Sequence, residues 1–241
     1  MYRIGDFYVN IVSKHNHIVK RAEKYKIECE VVAYFQIIPD RYAQVDSSLY
    51  PDENIMEYCL LGDNFAEKVL EFDAVVIHAS AIAVDDNAYL FSAVGGTGKS
   101  THTGLWENML LNSSVMYIND DKPLLRILDN NIMTYGTPFS GKTDKNSNMC
   151  VPLKAICFLV QDKKNWIRRL TEEDAITKFI AQTLKGISEE LKIKLKKTVK
   201  EIVKQIPMYE MGCKPELEAA KISHEVMSGV RHLDVGDIYG K

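Results

Sequence analysis

Ala93-Val94-Gly95-Gly96-Thr97-Gly98-Lys99-Ser100, entered from the apolar residues 88–91, is the stretch that decides how this chain is read. Its glycines let the backbone turn tightly enough for several N–H groups to face one phosphate. Lys99 adds a mobile positive charge suited to β- and γ-phosphates, and Ser100 adds a hydroxyl suited to Mg²⁺. A helix starting near Ser100 would aim its positive end at the same anion. The spacing follows G-x-x-x-x-G-K-[ST] except at its first position, where the chain has Ala93. Gly95, Gly96, Thr97, Gly98, Lys99, Ser100 and Thr101 are therefore the candidate nucleotide-binding residues, with ATP and Mg²⁺ as the expected cofactors.

Upstream, the apolar block 74–84 is followed by Asp85-Asp86-Asn87 and then by residues 88–91. This pattern predicts two strands joined by a turn of residues that tolerate left-handed backbone. A strand fed by a hairpin rather than by a helical crossover implies a mixed sheet around the glycine-rich loop. Downstream, residues 101–110 suit the helix that the loop requires, and residues 115–118 a short strand ending on Asn119-Asp120-Asp121. Residues 124–128 and 132–135 read as a second hairpin about Asp129-Asn130-Asn131, and residues 153–160 as a strand after a polar stretch, 136–148. Helices are expected over 172–184, along the stripe Ile187, Leu191, Leu195, Val199, Ile202 and Ile206, and from near Pro215 to Met227, with a strand over 208–213. Residues 1–70 read as alternating short strands and turns, with strands over 7–12 and 30–38 and breaks at Pro39-Asp40 and Pro51-Asp52.

The 241 residues, with 46% hydrophobic and 26% charged, suit one large domain or a domain with a small addition. A net charge of −3 gives no global basic field, so neither nucleic acid nor an anionic membrane is an expected partner. The seven lysines from Lys185 to Lys204 alternate with the apolar stripe and read as a solvated helix face. No run approaches a membrane span, and residues 1–6 lack the basic and apolar regions of a signal peptide. Cys29, Cys59, Cys150, Cys157 and Cys213 are odd in number and widely spaced, which suits free thiols and a cytoplasmic protein.

Asp120 and Asp121 stand where a strand-end carboxylate reaches a phosphate-bound cation. One can help hold metal, alongside Ser100, while the other takes a hydroxyl proton. Adjacent strand residues point to opposite faces, so both reach one site only if the chain turns there. His78 lies in the apolar strand ahead of the hairpin, where a core role and an active-site role both fit. His102 reads as a core residue. The stretch from Gly136 to Lys142 combines glycines, a proline and a lysine, and suits either a surface turn or a loop closing over an acceptor. Gly141 and Lys142 are its candidate substrate-contacting residues.

Together, Ile77-His78-Ala79-Ser80-Ala81, the hairpin into Gly95–Ser100 and the pair Asp120-Asp121 resemble the kinase domain of HPr kinase/phosphorylase. That family is distantly related to phosphoenolpyruvate carboxykinase. Gly136-Thr137-Pro138 and Val151-Pro152-Leu153-Lys154-Ala155-Ile156 are similar to its looser C-terminal pattern, so the resemblance spans about residues 74–160. It implies an α/β fold with a P-loop core, a mixed, largely antiparallel sheet and helices at the C-terminus. The chain itself reads as a small α+β extension, 1–70, unlike that family's usual N-terminal domain, packed on a nucleotide-binding domain, 71–241. The implied activity is ATP- and Mg²⁺-dependent transfer of a γ-phosphoryl group to a serine-type hydroxyl on a protein, peptide or small molecule. Lys99, His78 and Asp121 would be the catalytic residues, Asp121 as the base, and Ser100, Asp120 and Asp121 would face the metal. The family's ring assemblies imply a possible homo-oligomer. A nucleotide-binding regulatory protein with little transfer activity is the alternative.

Overall fold

Asp85 and Asp86 both adopt positive φ, 47° and 58°, as a two-residue turn between twisted antiparallel strands requires. Residues 79–84 and 87–92 pair across it with Val84 opposite Asn87 and Ala79 opposite Ser92, the hairpin expected from sequence. The computed structural model describes residues 1–28, 31–40, 45–110, 115–129 and 131–240. In chain order these form β1 (Tyr2–Ile4), β2 (Phe7–Ile11), α1 (Asn16–Arg21), β3 (Phe35–Ile37) and α2 (Glu53–Val69). Next come β4 (Ala74–Val76), the hairpin strands β5 (Ala79–Val84) and β6 (Asn87–Ser92), α3 (Lys99–Met109) and β7 (Val115–Asn119). They are followed by β8 (Leu124–Leu128), β9 (Asn131–Tyr135), β10 (Cys150–Gln161), β11 (Trp166–Arg169) and α4 (Glu172–Ala181). The chain closes with α5 (Glu189–Gln205), β12 (Met208–Cys213), α6 (Leu217–Met227) and β13 (Ile238–Tyr239).

The main sheet is mixed, in the order β13-β11-β12-β10-β6-β5-β7. Within it β10 is parallel to both β6 and β12, and the other pairings are antiparallel. Strand β10 also carries the sheet into a second arm: residues 150–152 pair with β9, which pairs with β8 and through it with β4. The hairpin strands are buried on both faces, and their alternation sorts side chains into two cores. Ala81, Leu90, Ile156 and Phe158 meet Phe179 of α4 and Leu195, Val199 and Ile202 of α5. Ile82, Phe91, Cys157 and Leu159 meet Trp106 of α3 and Ala219, Ile222 and Val226 of α6. Helices thus cover both faces, and the glycine-rich loop emerges from the middle of the sheet.

The N-terminal third departs from the strands and turns expected of it. Residues 53–69 form a helix, because the break read at Pro51-Asp52 is a helix start: Asp52 Oδ1 accepts the N–H of Ile55 at 2.9 Å. Met56, Leu60, Leu61, Phe65 and Val69 then recur at helical spacing and are buried. The short helix α1 was not anticipated either, and the strand expected over 30–38 forms only at Phe35–Ile37, with Cys29 and Glu30 outside the described residues. Phe7, Val9, Leu61 and Phe65 share a third core with Val76, Leu124, Tyr135 and Phe139. Helix α4 ends at Ala181, short of the expected 184, and β11 and β13 had no sequence signal strong enough to be named. Cys59, Cys150, Cys157 and Cys213 are free thiols. No helix among the described residues is long and apolar enough to cross a membrane.

Candidate active site

Strand β6 hands the chain to Ala93, whose side chain is buried with Phe91 and Trp106 and whose φ is not positive. Alanine therefore fits where the motif has glycine. The left-handed positions are Gly96 and Gly98, at φ 81° and 114°, and a Cβ at Gly95, Gly96 or Gly98 would meet nothing within 4 Å. The loop is closed from within, as Thr97 donates its N–H and hydroxyl to the Val94 carbonyl at 3.2 and 2.7 Å. Gly98 opens α3 with no side-chain cap, so no cap side chain takes up the first-turn N–H groups, which in any helix lack intrahelical partners. Trp106 and His102 fix this helix from behind: Trp106 Nε1 donates to Ser223 Oγ at 2.8 Å, and His102 Nε2 lies 2.9 Å from the same oxygen. Burial pushes the His102 pKa down to about 4. His102 is a neutral core residue.

The acidic pair reaches the loop because the chain turns after β7. Asn119 Oδ1 accepts the N–H groups of Asp121 and Lys122 at 2.8 and 2.7 Å, while its Nδ2 donates to the Thr137 carbonyl at 2.9 Å. Asp120, only 5% exposed, accepts three hydroxyls: Ser80 at 2.6 Å, Thr143 at 2.8 Å and Ser100 at 3.0 Å. Among the described residues no three His, Cys, Asp or Glu side chains gather as a metal cage. The Ser100–Asp120 oxygens still suit Mg²⁺, which takes one or two hard oxygen ligands from protein and the rest from phosphate and water.

His78 sits between β4 and β5 and is held by its backbone: its N–H donates to the Gln182 carbonyl at 2.8 Å, and its carbonyl accepts Ser92 Oγ at 2.7 Å. Its Nε2 lies 3.0 Å from Lys99 Nζ and 3.2 Å from Asp121 Oδ1. One ring nitrogen cannot serve both at once. It accepts from Lys99 when bare and donates to Asp121 when protonated. Burial lowers the Lys99 pKa, against the opposing pull of Asp121 and Asp120. At Asp121 burial pushes the pKa up, but the His78 hydrogen bond and the charges of His78, Lys122 and Lys99 outweigh it and leave the carboxyl below its ordinary value. Burial likewise opposes the charge of Lys122, yet Asp63, whose Oδ1 its Nζ meets at 3.1 Å, and Asp121 raise its pKa overall.

Two of the clefts that border the glycine-rich loop extend from it to charged side chains. One, of about 340 Å³, is bordered by His78, Gly95, Lys122, Asp63, Gln182 and Lys185. The other, of about 320 Å³, is bordered by Thr97, Thr101, Leu105, Asp162, Lys214 and Pro215. The loop read as substrate-contacting packs on Asp121 at Gly141, whereas Lys142 is exposed and makes no hydrogen bond or ion pair among the described residues. The structure thus gathers the loop glycines, Lys99, Ser100, His78, Asp120 and Asp121, and leaves Lys142 at the rim. Ser80, Thr143, Asn119 and Lys122 join the cluster without having been assigned roles from sequence. Only Asn119 carried a local signal, since Asn before Asp-Asp is turn chemistry.

The fold is similar to the structure of the HPr(Ser) kinase/phosphatase from Coxiella burnetii, with 12% identity and a TM-score of 0.35 over 62% of this chain and 94% of that one. The likeness is one of fold, at a distance, and carries nothing about activity. No protein-family model matches the sequence, and no curated protein matches it.

Proposed function

We propose that this chain is a phosphotransferase that moves the γ-phosphoryl group of ATP to a hydroxyl acceptor. The reading rests on one arrangement: Lys99, His78 and Asp121 in contact at 3.0 and 3.2 Å beside a glycine-rich helix start, with Ser100 and Asp120 paired alongside. The loop N–H groups and Lys99 bind the phosphates, and the cleft at Thr101 and Lys214 takes the nucleoside. The cleft at His78 and Lys122 takes the acceptor. Ser100 and Asp120 would hold Mg²⁺, which neutralises charge on the β- and γ-oxygens when bound.

Lys99 Nζ lies against His78 Nε2. Phosphate draws the ammonium away, and a protonated Nε2 can then donate to Asp121 Oδ1 and orient it. The free Asp121 oxygen takes the acceptor hydroxyl's proton. The acceptor's hydroxyl oxygen, relieved of that proton, forms a bond to the γ-phosphorus as the bond from phosphorus to the β,γ-bridging oxygen breaks, releasing ADP.

The test is incubation of the purified protein with Mg²⁺ and γ-labelled ATP in a lysate of its source, beside Lys99→Ala and Asp121→Asn. Label on an acceptor with the unmutated protein, absent with both variants, is the expected result. ATP binding that depends on Lys99 but never yields a labelled acceptor would instead identify a nucleotide-binding regulatory protein.

A further inference from the structure

Arg21 closes α1, far from the site in sequence, yet its Nη1 donates to the Gly141 carbonyl at 2.6 Å across a separation of 120 residues. The same nitrogen lies 3.3 Å from Tyr58 Oη, 3.4 Å from Ser140 Oγ and 3.5 Å from Asp144 Oδ1. Its guanidinium carbon stands 5.0 Å from the centre of the Tyr58 ring. Tyr58, on α2, grips the loop from the other side: its Oη donates to the Pro138 carbonyl and accepts the Gly141 N–H, each at 3.3 Å. Both ends of the Gly141 residue are thereby held by N-terminal side chains. Gly141 in turn packs on the Asp121 side chain, and Thr143 donates to Asp120 at 2.8 Å.

We propose that Arg21, braced on Tyr58, is a positioning residue: it fixes loop 138–144 so that Gly141 sets the orientation of Asp121 and Thr143 that of Asp120. The catalytic half of this proposal rests on the phosphotransferase reading; the orientation of the carboxylates does not. A residue that merely docks α1 on the core would affect stability and leave the surroundings of His78 unchanged. A positioning residue acts on His78 at a distance, through Gly141 and Asp121. Every polar contact of the Arg21 head among the described residues issues from one nitrogen, so a lysine ammonium, with three donors, can replace it where an apolar chain of the same length cannot.

The experiment compares the unmutated protein, Arg21→Met and Arg21→Lys by thermal melting, amide hydrogen exchange over residues 138–146 and the NMR resonance of the His78 ring at fixed pH. Arg21→Met is expected to speed exchange in the loop and move the His78 resonance, and Arg21→Lys to restore both. In transfer assays Arg21→Met should lower kcat by roughly tenfold to a hundredfold, as small misplacements of reacting groups do. KM for ATP should stay within about twofold, the split that marks lost orientation rather than lost nucleotide binding. If Arg21→Met does not fold, Tyr58→Phe, which keeps the ring and removes the hydroxyl's bonds to Pro138 and Gly141, is measured the same way. An unmoved His78 resonance with unchanged loop exchange overturns the proposal, as does equal loss in the Met and Lys variants tracking stability alone. If the unmutated protein transfers no phosphoryl group, the phosphotransferase reading falls, and exchange and the His78 resonance still decide whether Arg21 positions the carboxylates.

Discussion

A Cβ on Gly141 would stand 3.0 Å from Asp121 Cβ and 3.1 Å from its Cγ, so the loop backbone and this carboxylate are in contact with no space between them. The position is also left-handed, at φ +65°. Gly141→Ala therefore combines a backbone strain of about 1–2 kcal/mol with a push on the proposed base. Thermal melting should register the strain, and transfer should fall by roughly ten- to a hundredfold while ATP affinity holds. Unchanged kcat would mean that Asp121 shifts without consequence and is not the base.

Asp120 offers a second test, because its carboxylate is committed to three hydroxyl donors, Ser80, Ser100 and Thr143. Asn in its place presents one acceptor oxygen, and its NH₂ group must face a hydroxyl that previously donated. Asp120→Asn is expected to cost about 1–3 kcal/mol in stability, the range for disrupted buried polar pairing. It should also weaken Mg²⁺-dependent nucleotide binding, readable by calorimetry with and without the cation. Identical Mg²⁺ dependence in the variant would remove Asp120 from the metal site.

The shifts at Lys99 and Asp121 bound the pH range of the proposed reaction. Asp121 lies below its ordinary value because the His78 contact and nearby cations outweigh burial, so it stays a carboxylate down to below about pH 3.9. Its protonation should not impose an acid limb on kcat/KM between pH 5 and 7. Lys99 runs the other way: burial lowers its pKa, so its charge is lost at lower pH than for a solvent-exposed lysine near 10.4. ATP affinity should accordingly weaken on the alkaline side before that value is reached. Affinity that stays flat to pH 10 would show that Lys99 keeps its proton in the folded protein.

The centre of the site was legible because it is local. The turn Asp85-Asp86, the loop glycines, α3 and the pair Asp120-Asp121 each follow from patterns a few residues long. The frame around it was not, since its contacts join residues far apart: Arg21 to Gly141 across 120 positions, Tyr58 to Gly141 across 83 and Lys122 to Asp63 across 59. No local periodicity encodes such pairs. Helix α2 was missed for another reason. Pro51-Asp52 signals both a break and a helix start, and only the apolar spacing from Met56 to Val69 separates the two. Ser80 and Thr143 look like ordinary strand and loop hydroxyls until the fold brings both to one carboxylate.

His102 carries the last prediction, on stability rather than activity. Its folded pKa is about 4 against an ordinary 6.5, with burial as the cause. As pH falls below 6.5 the unfolded chain takes up a proton at this residue while the folded protein does not, so the balance moves toward unfolding until the pH nears 4. At about 1.4 kcal/mol per pH unit, the loss across that window is about 3 kcal/mol from this residue alone. His17 and His224, whose values burial also lowers, add to the same trend, so the slope of the unmutated protein is not specific to one site. The difference between it and His102→Phe is. Phenylalanine keeps an aromatic ring beside Phe91, now 4.6 Å from the imidazole, and does not titrate. Chemical denaturation at pH 7 and pH 4.5 should therefore show a smaller loss in the variant. Equal losses in both would mean that the imidazole beside Ser223 takes up its proton over the same pH range in the fold as in the unfolded chain.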